Sequence, residues 1–427
     1  MKRTFLIGWL VVAATGLVAA QDRPILPLLF GVGRDPAPAT TGADAFFDDT
    51  ALQEIRLDIN EKDWQSIQEN YLSNEYKPCD FKWRNEVVRN VGIRSRGTGS
   101  RSGVKPGLRV DFDRFSTNQK FLGLKSFVLR NNTQDPTNMH ERLTMLLYRR
   151  IGMPAEREAH TKLYINGRYA GLFTIVESPD KDFMKRNYGE DSGWIFKYDY
   201  PATQAPYYFE DRGSNPSAYV PSPFKPETHE DDSRGEFIVQ MIQAINQSSE
   251  GQFQSAVGEY LDIRKFIRHV AVEVFVADQD GFIGNYGANN FYLYRFDNRK
   301  LFVFVPWDKS EAFKSGANYS IFHNITDVPP NIRNRLMTRI LQFPDLYNYY
   351  LDTLLEIAGA ASQIQQDGRT WLSSELEREY QQIRYAALAD PQKPFSNADF
   401  ENGVNDLRAF VRERGAQVIA QVAASRQ

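Results

Sequence analysis

Residues 278–313 read DQDGFIGNYGANNFYLYRFDNRKLFVFVPWDKSEAF, and the fold of the whole chain turns on how this stretch is read. The segments NNFYLYRF and KLFVFVPW are aromatic and apolar and predict a hairpin. A loop rich in carboxylates and amides precedes them, and Asp308 follows them after Trp307. Asp280 and Asn285 stand at a D-x4-N spacing, with Asn290 at the start of the first strand. Phosphoryl transfer asks for this chemistry: one carboxylate near the acceptor hydroxyl, an amide on the metal, and a metal-holding carboxylate on a neighbouring element. Hard Mg²⁺ takes such oxygen ligands and completes its octahedron with phosphate and water. The plainer reading is a loop capped by Asp280 and Asn285, with Asp308 in an ordinary turn. Spacing alone does not separate the two.

Upstream of the hairpin the chain divides by period. IRLDI alternates at Ile55, Leu57 and Ile59 and predicts a strand, with a short helix after it. EVVRNVGIRS, GLRVDFD and KSFVLRNN are further strands. NMHERLTMLLYRRIG places Leu143, Leu146, Leu147 and Ile151 on one helical face and closes at Gly152. Asn166-Gly167, between LYI and RYAGLFTIVE, is a strong hairpin signal. GWIFKYDY is one more strand, and residues 199–232 then lack any period. GEFIVQMIQAINQ, FQSAVGEYL, IRKFIRHVAVEVFVADQ and the tail from about residue 331 are helical. Strands first and helices after predict an α+β fold of two lobes. The expected division is a strand-rich nucleotide-binding lobe at 48–178 and a mostly helical catalytic lobe at 179–427, with an irregular insert at 199–232.

The N-terminus carries Lys2 and Arg3, an apolar run, and small residues up to Ala20. This is the pattern of a secretory signal peptide, residues 1–20, cleaved after Ala20. It predicts a secreted, periplasmic or cell-surface protein with no membrane span after cleavage. Residues 21–47, rich in Pro, Gly and Ala, read as a flexible leader. The chain of 427 residues is long enough for a real core, and a formal net charge of −3 gives no field that would draw nucleic acid. Cys79 is the only cysteine, which excludes an internal disulfide. The five His are scattered and no CxxC or HExxH occurs, which argues against a zinc site.

A second constellation lies at GIRSRGTGSRSGVKPGLRVDF, residues 92–112. Gly97 and Gly99 let backbone N–H groups approach a ligand. Arg94, Arg96, Arg101, Lys105 and Arg109 surround them with the charge that phosphates attract. Neither the Walker pattern nor GxGxxG is present, and a basic turn on a solvated face remains the alternative. Glu141, in the first turn of a predicted helix, could orient Lys105 or simply favour the helix N-terminus. Glu177 ends an apolar strand at the expected lobe junction, where it could meet a nucleotide base or face solvent.

RSRGTGS with KPGLRVDF, NMHERLTMLLYRRIGMPA, LYINGRYAGLFTIVE, and DGFIGNYGANNFYLYR with FVFVPWD resemble, in this order, the spore coat protein H kinases, the CotH family. The resemblance runs from about Gly92 to Phe313, half of the chain. It implies a distant protein-kinase-like fold and transfer of the ATP γ-phosphoryl group, with Mg²⁺ or Mn²⁺, to Ser or Thr of a protein substrate. By matching position, Asp280 resembles the catalytic-loop Asp and Asp308 the metal-binding Asp. The second metal ligand would be Asn285, which the D-x4-N spacing favours, or Asn290, which the NNFYLY match favours. Lys105 resembles the phosphate-binding lysine, with Arg109 as its substitute. Arg94, Arg96, Gly97 and Ser100 would line the nucleotide-phosphate loop. The chain departs from the family where WDLD is frequent: it reads WDKS, with Ser310 for the second Asp. Asp278 stands where Asn is frequent, and Asp278 or Glu311 would have to restore the lost metal charge. A kinase-like surface or coat assembly scaffold of weak or no activity is the second expectation, and a metal-dependent phosphohydrolase the third.

Overall fold

In the computed structural model, residues 41–199 and 204–426 are described. The expected signal peptide, and the expected leader up to residue 40, lie outside them. Alternation builds the first element as expected: Ile55, Leu57 and Ile59 of β1 (Gln53–Ile59) are buried, while Arg56 and Asp58 between them are exposed. Six more strands follow among the described residues of this half. They are β2 (Lys77–Trp83), β3 (Glu86–Ser95), β4 (Leu108–Asp111), β5 (Ser126–Arg130), β6 (Glu158–Ile165) and β7 (Arg168–Glu177). With β1 they close a barrel in the order β1-β2-β3-β4-β5-β7-β6. Closure comes from β1 running parallel to β6, with Ile55 opposite Leu163. Asn166 and Gly167 turn β6 into β7 at φ +50° and +78°, the paired left-handed conformation of a tight hairpin.

The strand-rich half is therefore a closed barrel, which leaves no free sheet edge. Sequence patterning did not foresee closure, and it missed β2, whose Lys77-Pro78 opening hides the alternation of Cys79, Phe81 and Trp83. The barrel is also plugged from outside the strands. Thr41 to Phe47 were expected to belong to a flexible leader, yet Ala43, Phe46 and Phe47 are buried. Phe46 meets Phe81, Trp83, Phe121 and Phe127 edge to face at 5.0–6.3 Å between ring centres. Aromatic pairs in that geometry add to the gain from burial, so the ordered body begins before β1.

Helix α1 (Glu61–Glu69) lies on the barrel, and α2 (His140–Arg150) follows β5. Asp135 accepts from the backbone N–H groups of Thr137 and His140 and so starts α2. Helix α3 (Lys181–Tyr188) leads from β7 to a second sheet of β8 (Trp194–Tyr198), β9 (Phe224–Pro226), β10 (Phe291–Arg295) and β11 (Phe302–Pro306), ordered β11-β10-β8-β9. The hairpin of residues 278–313 is thus the β10–β11 edge of this sheet, with Phe291 opposite Pro306. Between β8 and β9 the described part of the insert buries Tyr207, Phe209 and Tyr219, so it is irregular but packed.

The helical half comprises α4 (Glu236–Gln247), α5 (Phe253–Gly258), α6 (Ile263–Phe275), α7 (Arg335–Ile340), α8 (Pro344–Ser362), α9 (Trp371–Leu388) and α10 (Asn397–Ser425). Its core is continuous with α2 and the second sheet. The fold class is α+β, with strands dominating the first half and helices the second. No helix among the described residues is long and apolar enough to cross a membrane.

Candidate active site

The open end of the β10–β11 hairpin builds the site. The ladder extends one rung past Phe291 and Pro306, because Trp307 N–H donates to Asn290 C=O at 3.2 Å. There both strands stop in the left-handed region, Asn290 at φ +56° and Asp308 at φ +49°, which Asn and Asp tolerate best among non-glycine residues. Asn290 and Asp308 line one cavity of about 600 Å³ together with Asp280. Asn289 Nδ2 and Asn290 Nδ2 each donate to the Asp280 carboxylate at 2.9 Å. Burial pushes Asp280 up to about 6, with Asn289 pulling it down and the Asp308 charge adding to the rise. A carboxylate poised near neutrality beside a cavity is suited to taking a proton.

Asp308 has the opposite character. Burial would raise it, but the Arg130 guanidinium, Arg96 and the Ser310 hydroxyl outweigh burial and hold it at about 2. Arg130 Nη1 lies 2.7 Å from Asp308 Oδ1, and Ser310 Oγ donates to the same oxygen at 3.1 Å. Arg130 ends β5, and its Nε pairs with Glu141 of α2. Burial pushes Glu141 up to about 7 while Arg130 pulls against it. Arg96 and Arg130 each sit 5.3 Å from the centre of the Trp307 ring. Burial and the neighbouring Arg130 lower Arg96 to about 10, so it still carries charge at neutral pH. Helix α2, the barrel and the hairpin are tied together through these groups.

The Gly-rich turn closes the other wall. Gly97 has φ +117°, and a Cβ there would stand 2.6 Å from Ser100 Oγ, so only glycine fits. Arg94, Arg96, Gly97, Ser100 and Arg109 all line the cavity. A neighbouring cavity of about 400 Å³ shares Arg96, Arg109, Tyr292 and Trp307. Val128, Ile195 and Ser178 to Asp182 are among its lining residues.

Five expected positions need correction. Lys105 is not in the cavity: its ammonium is buried, donating to Asp390 Oδ2 at 2.7 Å and Leu172 C=O at 2.8 Å. Arg130, at the end of the apolar run SFVLR, takes the place beside Glu141 that Lys105 was expected to take. A charge closing such a strand was the available signal. Glu177 is buried against Arg157 and Arg186, at 2.6 and 2.5 Å, and does not line either cavity. Asn285 is exposed, with its Oδ1 accepting from Asn324 and meeting His323 Nε2, and it does not line the cavity, which Asn289 and Asn290 do. Asp278 is buried and ion-paired with Lys309 at 3.1 Å, and Glu311 pairs with Lys314 at 2.6 Å. Neither lines either cavity.

Among the described residues, no three His, Cys, Asp or Glu side chains cluster as a metal site. The donors at hand are the ionised Asp308 and the Asn290 amide oxygen. That set fits Mg²⁺, which is commonly held by one or two protein oxygens plus substrate phosphate and water.

The family described as CotH kinase protein matches residues 93–418. The inner spore coat protein H of Bacillus subtilis (strain 168) is 24% identical over 365 residues, a span covering 84% of this chain and 91% of that one.

Proposed function

This chain belongs to the CotH kinase protein family, and from that premise we propose that it transfers the γ-phosphoryl group of ATP to a Ser or Thr hydroxyl of a protein. The observation that carries this reading is the meeting of Asp280, Asn290 and Asp308 at one cavity beside a Gly-rich basic turn, with the buried Arg130–Glu141 pair holding Asp308 from behind. The barrel serves as the nucleotide lobe and the helical half as the acceptor lobe. The base lies in the cavity over Val128 and Ile195, and the phosphates reach Arg96, Arg109 and the turn at Gly97.

Asp280 accepts the hydrogen bond of the acceptor hydroxyl and aims its oxygen at the γ-phosphorus. The new O–P bond forms as the bond to the departing ADP oxygen breaks, and the hydroxyl proton passes to Asp280. Asp308 and Asn290 would hold Mg²⁺ or Mn²⁺, which neutralises phosphate charge when bound. Arg96 and Arg109 add fixed positive charge on the same wall, in place before the reaction begins. Arg130 keeps Asp308 ionised and aligned against Glu141. The related protein is a spore coat protein, and a coat or cell-surface location suits a chain that begins with a signal-peptide pattern.

A scaffold without transfer activity is favoured by one observation, Ser310 where the family often has a second Asp. One experiment separates the two. The purified protein is incubated with γ-labelled ATP and Mg²⁺ or Mn²⁺, beside Asp308→Ala. Label on the protein or on a Ser-rich acceptor, lost in the variant, supports the kinase. ATP binding without label supports the scaffold, and free labelled phosphate without acceptor label supports a phosphohydrolase.

A further inference from the structure

Lys309 follows Asp308 and has no exposure to solvent. Its ammonium meets three groups drawn from three places. Glu273 Oε1 on α6 is at 2.6 Å, Asp278 Oδ2 in the turn after α6 at 3.1 Å, and the Asn290 carbonyl at the head of β10 at 3.3 Å. Each partner is bonded onward into the Asp280 turn. Asp278 Oδ1 accepts from Asp280 N–H at 3.0 Å, Glu273 Oε2 from Phe282 N–H at 2.9 Å, and Asn290 Nδ2 donates to the Asp280 carboxylate at 2.9 Å. The turn is packed onto these carboxylates: a Cβ on Gly281 would come within 2.8 Å of both.

A buried ion triad is a costly way to fill space, because desolvation offsets much of its attraction, and apolar side chains of similar volume often serve stability as well. What the triad adds is direction. The ammonium fixes two carboxylates and a carbonyl at set angles, and those in turn orient Asp280 and Asn290 while the backbone carries Asp308.

We propose that Lys309 is a positioning residue, whose ammonium holds Asp280, Asn290 and Asp308 in the mutual geometry that transfer needs. This rests on the phosphotransfer reading above. The arrangement predicts that loss of Lys309 lowers turnover and spares nucleotide binding, since no bond of Lys309 points to the Gly-rich turn.

The test compares the full chain with Lys309→Met and with the double variant Asp278→Asn/Lys309→Met. The double removes the opposite charges together. It keeps a side-chain amide oxygen that can accept from the Asp280 N–H, and it leaves Glu273 its His269 partner at 3.2 Å. Label transfer gives kcat and KM for ATP, thermal melting gives stability, and amide hydrogen exchange over residues 278–290 reads the turn directly. The expected result is a kcat about tenfold or more below the parent in Lys309→Met, with KM for ATP within about threefold. The double should melt close to the parent yet stay slow, with fast exchange in 278–290. A double that regains both stability and the parent kcat overturns the proposal, because Lys309 would then serve folding alone. Should Lys309→Met not fold, the double decides by itself. If the parent transfers no more label than Asp280→Asn, the phosphotransfer reading fails on its own. Exchange then still judges Lys309, and unchanged protection of 278–290 rejects its positioning role.

Discussion

Arg130 Nη1 lies 2.7 Å from Asp308 Oδ1, and the same guanidinium meets Glu141 through Nε. One side chain at the end of a barrel strand thereby joins a helix to the residue that ends the β10–β11 hairpin. Removing it leaves the buried Glu141 and the partly buried Asp308 without the cation between them. Arg130→Met is expected to lower stability by about 3–5 kcal/mol, the usual cost of breaking a buried ion pair on one side. Adding Glu141→Gln should recover part of that loss. Urea unfolding of the parent, both single variants and the double checks both statements, and additive effects of the two substitutions would contradict the pairing.

Asp280 is pushed up to about 6, chiefly by burial. As the acceptor of a proton it works ionised, so kcat should fall as pH drops through about 6 and level off above 7. Stability runs the other way. A carboxyl raised in the folded state costs nothing below its unfolded value near 4, and its penalty grows as pH rises through about 6. Asp280→Asn should therefore match the parent in stability at pH 3.5 and equal or exceed it at pH 8, while kcat falls about 10²-fold or more. Melting curves at the two pH values, with label transfer, test the opposed signs. A variant less stable than the parent at pH 8 would show that Asp280 is held as a structural carboxylate.

Asn290 and Asn285 offer a second contrast. Asn290 donates to Asp280 and lines the cavity, whereas Asn285 is exposed and tied to Asn324. Asn290→Ala should weaken Mg²⁺-dependent ATP binding by about tenfold, the scale of a lost metal-shell contact. Asn285→Ala should change it less than about twofold. Calorimetric titration with Mg²⁺-ATP measures both, and the reverse order would return the metal role to the D-x4-N spacing.

Much of the fold was legible because it rests on local pattern. The alternation of Ile55, Leu57 and Ile59 and the Asn166-Gly167 turn formed as read, and α2 formed as a helix, though Leu146 stays half-buried while Met145 and Tyr148 are buried beside Leu143 and Leu147. The hairpin after the Asp280 loop formed too, and it brought Asp280 and Asp308 to one cavity. What sequence could not supply was long-range. Barrel closure depends on β1 pairing with β6, about a hundred residues away. Phe46 carries no period and is explained only by the ring cluster it fills. Arg130 and Lys105 are both cations near strand ends, and only tertiary packing decides which one faces Glu141.

That last pair makes the sharpest test of the corrected site. Lys105 donates to Asp390 Oδ2 at 2.7 Å, and the same oxygen accepts from Leu172 N–H at 2.9 Å. Gly171 beside it has φ +130°, and a Cβ there would come within 2.6 Å of the Asp390 carboxylate oxygens. The lysine therefore pins the base of the Gly-rich turn to the stretch after α9. Lys105→Met should cost about 3–5 kcal/mol of stability and leave ATP affinity in the folded protein within about twofold of the parent. Arg109→Gln, in the cavity wall with its Nη2 on Ser126 Oγ at 3.1 Å, should do the reverse and weaken ATP binding by about tenfold at smaller cost to the fold. Denaturation and nucleotide titration of the two variants side by side read the contrast. If Lys105→Met instead loses ATP affinity and keeps its stability, the lysine reaches the phosphates after all, and its pairing with Asp390 is broken when nucleotide binds.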